Sequence, residues 1–376
     1  MGTSNAAAFT ELGRRLAARR QEAHLSTAAL AQRANVAPLD VEAFEAGSGS
    51  LGASALVRLA RALGVPEGSF LHTSAPEVLA HREPSFLLKE VAQGATLSLA
   101  DRTALTTQLY RARAFAELGE LLGSPCLAGQ FQPRPAKQKQ PYLAGYDLAH
   151  TVRKLIGNEH EPLRELRSCI EDMFNIFVVE HRFDDARVQA AACRSGEARL
   201  IAISPAIGFE PARRAVLSHE LAHHLADLTA DDVITDRDAH DERYSAQRPP
   251  EEQRASAFSI MLLAPRKALS ATLGTRKLGR EEASAVVSSC RMKYGVGFEA
   301  MTWHLFHLGY FDMPEAVVEE LAHEDDGLDA SGFEAPPADS LTRRIDEALA
   351  RHAISEGRAR ILRSRPGPRA SACDRS

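Results

Sequence analysis

The run His219–His223, which reads His-Glu-Leu-Ala-His, constrains the fold of this 376-residue chain more than any other feature. The residues before it, 211–218, continue as helix, and neighbours such as Leu217 and Leu221 are apolar, which indicates a buried helix. On a helix, His219 and His223 are four residues apart, so both imidazoles project from one face and can share a metal ion. The sequence therefore predicts a metal-binding helix inside a folded domain.

Glu220 lies beside the two histidines without being a ligand, where its carboxylate can accept a proton from a water molecule at the metal. Zinc suits two nitrogens and one carboxylate oxygen, because its fourth position then stays open for a water whose pKa it lowers to about 7. Manganese is the alternative metal. Because the five-residue pattern also fits a surface helix, the interpretation depends on a third ligand.

A second helix is predicted over residues 249–265, since paired prolines open it, acidic residues occupy its first turn and a proline closes it. Glu252 shares a face with Ala255 and Ser259, whose small side chains permit close approach of a neighbouring helix. We therefore expect Glu252 to be the third ligand. Glu251, about 100° around the helix, is the alternative. Either acid also fits a simpler role in stabilising the helix N-terminus.

Between these two helices the chain is acidic, and we expect a solvated loop over the cleft. His224 is expected to point away from the metal, as a solvated or supporting residue rather than a ligand. His240 and Tyr244 are candidate donors to a transition state. The acidic residues of this run are Asp227, Asp231, Asp232, Asp236, Asp238 and Asp241.

Three β-strands are predicted before the His219–His223 helix, over Ile176–Val179, Ala186–Cys193 and Leu200–Ser204, with a turn at Ser195-Gly196. The edge strand of such a small sheet can hold a peptide through backbone pairing, which needs no particular side chains. The sequence therefore predicts an α+β domain with a small sheet next to the metal-binding helix.

Residues 142–312 resemble the ImmA/IrrE family of zinc metallopeptidases. The resemblance lies in 219–223 and in Glu252–Pro265, which follows the family pattern E-x-x-A-N-x-F-A-x-x-L-L-x-P. The chain departs from that pattern at Ser256, where Asn is usual, and at Ser259, where Ala is usual. The resemblance implies a zincin-like fold and proteolysis of a few targets, often transcriptional repressors. It also implies the ligands His219, His223 and Glu252 and the base Glu220.

Residues 9–72 are predicted to form an all-α domain of four or five short helices. Ser26 is the expected N-cap of the second helix, Asn35-Val36 makes a tight turn, and Pro38 opens the third helix. A tight turn between the second and third short helices is typical of a helix-turn-helix. The segment resembles the Cro/repressor-type (XRE) family, through markers that include Leu12–Leu16, Leu25-Ser26, Leu30-Ala31, Ala34–Val36, Phe44–Gly47 and Leu59–Val65.

The third helix, Ala37–Glu45, carries three acidic residues and no Arg, Lys, Gln or Asn, which disfavours both base reading and phosphate contact. The net charge of −5 provides no general attraction to nucleic acid. The domain is therefore predicted either to bind DNA weakly or to contact a protein. The candidates for phosphate contacts are Arg14, Arg15 and Arg33, together with Arg19 and Arg20.

The rest of the chain is predicted to support these two domains. Residues 73–141 are expected to be a helical connector, with a long helix after the N-cap Ser98, and then a linker rich in Pro and Gln. Residues 281–312 form a helical hairpin against the metal-binding helices. Residues 323–376 are expected to be a disordered or partly helical tail, in which Leu341–Leu362 is the candidate helix.

We expect a cytoplasmic protein without membrane contact. No apolar run approaches the ~20 residues that span a bilayer, and the first residues lack a basic and apolar leader. The five cysteines are scattered, odd in number and without a C-x-x-C pair, as in proteins whose thiols stay reduced.

These observations predict a multidomain protein, in which an all-α helix-turn-helix domain precedes an α+β zincin-like metallopeptidase domain. The expected function is that of a regulatory zinc-dependent endopeptidase, whose protein substrate is a transcriptional repressor in a stress, phage or toxin–antitoxin switch. The alternative is a DNA-binding transcriptional regulator in which the metallopeptidase fold is a sensor or scaffold. Glu220 favours the enzyme, because a scaffold needs no general base.

Overall fold

The computed structural model describes residues 3–22, 25–63, 89–90, 97–133, 140–228, 232–237, 249–312, 314, 318, 333 and 339–364. The described part of the N-terminal domain contains four helices, α1 (Thr3–Glu22), α2 (Thr27–Ala34), α3 (Pro38–Glu45) and α4 (Ala53–Ala62). Their apolar faces meet in one core, which includes Leu16, Leu30, Val41, Phe44 and Leu59. The predicted arrangement of short helices around a tight turn is present.

Local side-chain chemistry sets the turn between α2 and α3. The hydroxyl of Ser26 accepts a hydrogen bond from the Ala29 amide at 3.1 Å and so caps α2. Asn35 ends α2 with a φ of 50°, a left-handed conformation that Asn tolerates better than most residues. Gly13 of α1 lies against the backbone of α3, since a Cβ at this position would be 1.9 Å from the Phe44 carbonyl oxygen.

The second folded unit is built on a five-stranded mixed sheet with the order β1-β5-β3-β4-β2. Strands β3 and β4 form an antiparallel hairpin whose turn contains Gly196 at a φ of 56°. Strand β2 is parallel to β4, and β5 is antiparallel to β3. This sheet confirms the predicted α+β fold class. The strands are β1 (Lys89–Glu90), β2 (Phe177–Glu180), β3 (Val188–Ser195), β4 (Ala198–Ile203) and β5 (Asp232–Arg237).

Strand β5 lies within the acidic run for which a solvated loop was predicted, and for residues 232–237 that prediction is wrong. The three residues Val233, Ile234 and Thr235 are β-branched and fit an extended backbone. They pair with β3, where Thr235 lies opposite Ala191. The flanking acids obscured this short stretch in the sequence, and the candidate donors His240 and Tyr244 lie outside the described residues.

The core on one face of the sheet is formed with helices that come before and after strands β2 to β5 in the sequence. Helix α5 (Leu99–Leu121) and the helices Ser340–Ala350 and Glu356–Ser364 share a core with the strand residues Phe177 and Leu200. The expected connector helix therefore packs on the sheet, and the expected helix over 341–362 is two helices.

The other face carries the helices of the candidate site. Its core includes the strand residues Val178, Ile201 and Ile203 together with Leu221 and Phe258. None of the helices in the described residues is long and apolar enough to span a membrane. The helices on this face are α6 (Pro141–Leu155), α7 (Leu166–Phe174), α8 (Glu210–Ala226), α9 (Pro250–Leu263), α10 (Arg266–Leu273), α11 (Arg280–Tyr294) and α12 (Phe298–His307).

Helices α6 and α9 lie in direct backbone contact. A Cβ at Gly145 would be 2.3 Å from the Arg254 carbonyl oxygen and 2.8 Å from the Phe258 amide. One side of α6 also holds the buried Arg153, whose Nε donates to the Leu262 carbonyl at 2.7 Å. This bond satisfies one of the last carbonyls of α9, which have no partner within their own helix. Burial lowers the pKa of Arg153 to about 10, so the guanidinium stays charged at neutral pH.

Candidate metal centre

Three side chains of α8 and α9 converge at one point. The Nε2 atoms of His219 and His223 lie 3.0 Å apart. Oε2 of Glu252 lies 3.1 Å from Nε2 of His219, and Oε1 lies 3.4 Å from Nε2 of His223. The histidines are buried, whereas 17% of the Glu252 side chain is exposed. The structure thus brings the three predicted ligands together at the edge of the protein interior.

The separations among these donor atoms fit a metal of the size of zinc. Zinc binds nitrogen and oxygen at about 2.1 Å, so two ligands of a tetrahedral site are roughly 3.4 Å apart. The observed spacings of 3.0, 3.1 and 3.4 Å lie close to that length. Two imidazoles and a carboxylate are also a donor set that zinc accepts while a fourth position stays open. The residues present therefore fit a zinc ion.

Small side chains allow α8 and α9 to approach each other. The hydroxyls of Ser218 on α8 and Ser259 on α9 lie 2.6 Å apart, and both are buried. The hydroxyl of Ser259 also donates to the Ala215 carbonyl at 2.9 Å. Ser259 is one of the two positions where the chain departs from the family pattern. Its hydroxyl is hydrogen-bonded between α8 and α9, so the departure adds a polar contact between the two helices.

The charges of the three ligands depend on one another. Burial alone would raise the pKa of Glu252, but the charge of His223 and hydrogen bonds from both histidines outweigh burial and hold that pKa well below its usual range. Burial alone would likewise lower the pKa of His223, but the Glu252 charge and the bond to Asp227 raise it well above 6.5. The pocket therefore favours an ionised Glu252 carboxylate next to a positive charge.

Glu220, the predicted base, lies on α8 next to His219 and is fully buried. It lies near enough to β3 for its charge to affect Cys193: burial first, and then the Glu220 carboxylate, raise the pKa of that thiol. Glu220 thus lies beside a candidate ligand and away from bulk solvent.

The structure places two neighbouring residues, of which His224 had been expected to be solvated or supporting and Asp227 to lie in a solvated loop. His224 points away from the ligand cluster, but it is buried rather than solvated: its Nε2 donates to the Leu200 carbonyl at 3.0 Å, and burial lowers its pKa to about 3. Asp227 was assigned to the solvated loop, yet its side chain is 5% exposed and bonded to Nδ1 of His223 at 2.8 Å. Sequence reasoning missed this contact, although Asp227 is four residues beyond His223.

Glu251, the alternative third ligand, is half-buried on α9. In the described part of the chain, the cluster of potential ligands contains His219, His223 and Glu252, and all of its ligand atoms lie within 4.8 Å of one another. Glu251 is not a member of that cluster. The geometry thus favours Glu252 over its neighbour.

In the N-terminal domain, Arg14 and Arg33 are exposed and Arg15 is half-buried. Arg20 is engaged by α3: its Nε and one terminal nitrogen lie 2.8 and 2.7 Å from the two carboxylate oxygens of Glu45. This bond raises the pKa of Arg20. Arg20 is therefore unsuited to the phosphate contact expected of it. The side chain of Arg19 lies outside the described residues.

The exposed surface of α3 is acidic and apolar. Leu39 is 75% exposed, and Asp40 and Glu42 beside it are exposed as well. No cation lies on this helix, so its surface would repel phosphate.

Comparison with known protein families agrees with both domains. Residues 11–69 match the family model described as a helix-turn-helix domain, and residues 171–305 match the model described as an IrrE N-terminal-like domain, a peptidase family. The chain thus carries an XRE-like helix-turn-helix domain and an IrrE-like peptidase domain. No curated protein matches the chain.

Proposed function

We propose that this protein is a zinc-dependent endopeptidase that cleaves a specific protein. The observation that carries the proposal is the convergence of His219, His223 and Glu252, with donor atoms spaced 3.0 to 3.4 Å apart. The match of residues 171–305 to a peptidase family supports the same reaction class. Manganese is the alternative metal, and elemental analysis distinguishes the two.

The three ligands would hold the metal, and Glu220 would move the proton. When bound, zinc supplies a Lewis acid that polarises a carbonyl group and acidifies a water molecule. The Glu220 carboxylate would accept a proton as water attacks the scissile peptide, and would then donate it to the leaving amine. Its position on α8, directly after the ligand His219, supports this role.

We propose that the substrate is a transcriptional repressor, in a stress, phage or toxin–antitoxin switch. The helix-turn-helix domain on the same chain supports a regulatory role over general digestion. We place the reaction in the cytosol, where Cys126, Cys169, Cys193 and Cys290 would stay free thiols, as they are in the structure.

The helix-turn-helix domain would then deliver the peptidase to its target through protein contact. Its α3 helix presents Leu39, Asp40 and Glu42, a surface suited to a basic or apolar protein segment and unsuited to DNA. The alternative function, a DNA-binding regulator with a metallopeptidase fold as sensor or scaffold, requires this same helix to face the major groove.

Metal content tests the proposal directly. The wild-type chain, supplied with zinc and freed of excess, should retain about one zinc per chain by elemental analysis, since the described residues contain one cluster of three ligands. His223→Ala and Glu252→Ala should lose the metal. Glu251→Ala is the matched control, because it removes a neighbouring acid of the same helix and should leave zinc bound. A wild-type protein without metal would refute the enzyme and leave the regulator.

A further inference from the structure

A carboxylate contacts the His223 ring at Nδ1, the ring nitrogen that does not face the other two candidate ligands. Nδ1 of His223 lies 2.8 Å from Oδ2 of Asp227, which follows the last residue of α8. The His223 side chain is 0% exposed and that of Asp227 is 5% exposed. Because an ionised carboxylate only accepts hydrogen bonds, Nδ1 of His223 donates to Asp227, and Nε2 faces His219 and Glu252 and is the atom that would bind a metal.

Asp227 is in turn held from the other helix. Its Oδ1 pairs with the guanidinium of Arg254 on α9, while Oδ2 holds His223. Both charged side chains are 5% exposed, so water screens this pair little. Arg254 lies two residues beyond Glu252 on α9. A path of contacts therefore runs from His223 through Asp227 to Arg254 on α9, the helix that also carries Glu252.

Fold stability alone gives little reason for a buried ion pair at this point. Removing two charges from water is costly, and apolar residues of similar volume often hold a protein together equally well. Apolar residues could not set the ring orientation and proton position of His223 or fix the carboxylate that does so. The pair also joins the helix that carries both histidines to the helix that carries Glu252.

We infer that Asp227 and Arg254 are positioning residues of the metal centre. Asp227 orients the His223 ring and keeps its proton on Nδ1, and Arg254 fixes Asp227 while setting the spacing of α8 and α9. Asp227 is not a member of the ligand cluster, and both residues would act through other side chains. The inference rests on the proposed function, since it assigns a role toward the zinc ion that the three ligands would hold.

The test is the zinc dissociation constant of the full chain, measured by competition with a chromogenic chelator. Loss of such a supporting carboxylate typically weakens zinc binding by about 10–100-fold, and we expect this for Asp227→Ala and Arg254→Gln. Asp227→Asn keeps an oxygen facing Nδ1 but loses the charge that pairs with Arg254, so its affinity should fall between those of Asp227→Ala and wild type.

The chain offers a matched control in a second His–Asp pair. Nε2 of His181 lies 2.8 Å from Oδ1 of Asp101, with side chains 11% and 3% exposed. Asp101→Ala should lower the melting temperature of the metal-free protein but leave the zinc affinity within about twofold, because this pair does not touch a ligand. All affinities are measured well below the melting temperature of the least stable metal-free variant.

The outcomes separate the two proposals. Wild-type zinc affinity in folded Asp227→Ala and Asp227→Asn would overturn the positioning role and leave the proposed function intact. An equal loss of affinity in Asp101→Ala would overturn it as well, since the effect would then be general destabilisation. A wild-type chain that binds no zinc would instead refute the proposed function, and the positioning role with it.

Discussion

Gly145 of α6 lies directly against the carbonyl oxygen of Arg254 on α9, which a Cβ at position 145 would approach to 2.3 Å. The contacting atoms of α9 belong to its backbone, so they cannot rotate away as a side chain could. The spacing of α6 and α9 therefore depends on this glycine. The contact lies two residues from Glu252. The separation of two helices is therefore tied to the placement of a candidate ligand.

Gly145→Ala should destabilise the protein, although alanine ordinarily favours a helix over glycine by roughly 1 kcal/mol. Overpacking against the α9 backbone should cost about 1–3 kcal/mol in the free energy of unfolding and weaken zinc binding. Urea denaturation measures the first effect and chelator competition the second. Gly129→Ala is the control, since a Cβ there meets nothing within 4 Å. Equal stability of the two variants would contradict the close approach.

Glu220→Gln should separate metal binding from proteolysis. The amide cannot accept the proton that the carboxylate takes, so cleavage of a protein substrate should slow by about 10²–10⁴-fold while zinc content stays at the wild-type level. Cleavage is followed by electrophoresis of a co-expressed repressor. Glu210→Gln, on the first turn of the same helix, should keep full activity. Unchanged cleavage in Glu220→Gln would remove Glu220 from the mechanism.

Arg214→Met should destabilise the fold by roughly 3 kcal/mol or more, because the guanidinium satisfies several buried carbonyls. Arg214 is fully buried on α8, donates to Leu163 at 2.6 Å and to Gly295 at 3.2 Å, and lies 4.6 Å from the ring centre of Phe333. Urea denaturation measures the decrease in the free energy of unfolding.

The adjacent Arg213 provides the control for Arg214→Met. It pairs with Glu180 at 2.8 Å on the surface, and Arg213→Ala should cost less than about 1 kcal/mol. Similar losses for the two substitutions would show that the carbonyls around Arg214 are satisfied in another way.

His304 should make the protein sensitive to mild acid. It is buried on α12, its Nε2 donates to the Ala264 carbonyl at 2.9 Å, and burial lowers its pKa from 6.5 to about 4. The unfolded chain therefore takes up this proton first, and the free energy of unfolding falls as the pH falls from about 6.5 toward 4.

The His304→Gln variant keeps a donor but cannot titrate. Between pH 7 and pH 4.5 it should lose less stability than the wild type, by an amount on the order of 2 kcal/mol. Urea midpoints at several pH values measure the difference. His150→Gln, which removes a mostly exposed ring, should follow the wild type. Parallel curves for wild type and His304→Gln would show that His304 contributes no acid sensitivity.

The acidic surface of α3 predicts weak DNA binding by the full-length protein. Reversing its charge with Asp40→Arg and Glu42→Arg should strengthen binding to a duplex of random sequence by about tenfold near 0.1 M salt, with a steeper salt dependence. Fluorescence anisotropy gives both quantities. The pair Glu281→Arg and Glu282→Arg on α11 changes the net charge equally and tests whether location matters. Tight, salt-sensitive DNA binding by the wild type would favour the regulator over the peptidase.

Much of the fold could be predicted because its patterns are local. The caps and turn at Ser26 and Asn35 gave the helix-turn-helix arrangement, and runs of alternating or apolar residues gave β2, β3 and β4 to within two residues. Strand β5 was missed because its β-branched residues are only three, between acids that suggest a solvated loop. Its pairing with β3 is a long-range contact that no local pattern encodes.

The same distinction applies to the candidate site. The spacing of His219 and His223 and the acid-bearing turn of α9 pointed to the cluster, because helix geometry fixes which residues share a face. The pairing of Asp227 with Arg254 depends on how two helices cross, so the sequence showed both residues without connecting them. The choice between Glu252 and Glu251 as third ligand likewise depends on how α9 is rotated about its axis, which the sequence left open.

On the second face of the sheet, the helices Ser340–Ala350 and Glu356–Ser364 complete the core that α5 begins, and they follow the described strands and the candidate ligands in the sequence. During translation, α5 and the strand residues Phe177 and Leu200 leave the ribosome long before the two helices that share their core. A nascent chain that already contains His219, His223 and Glu252 therefore still exposes the apolar residues of this core that those helices contact. We expect the docking of these two helices to be the final step of folding, so that the domain carrying the candidate site is completed only after they emerge.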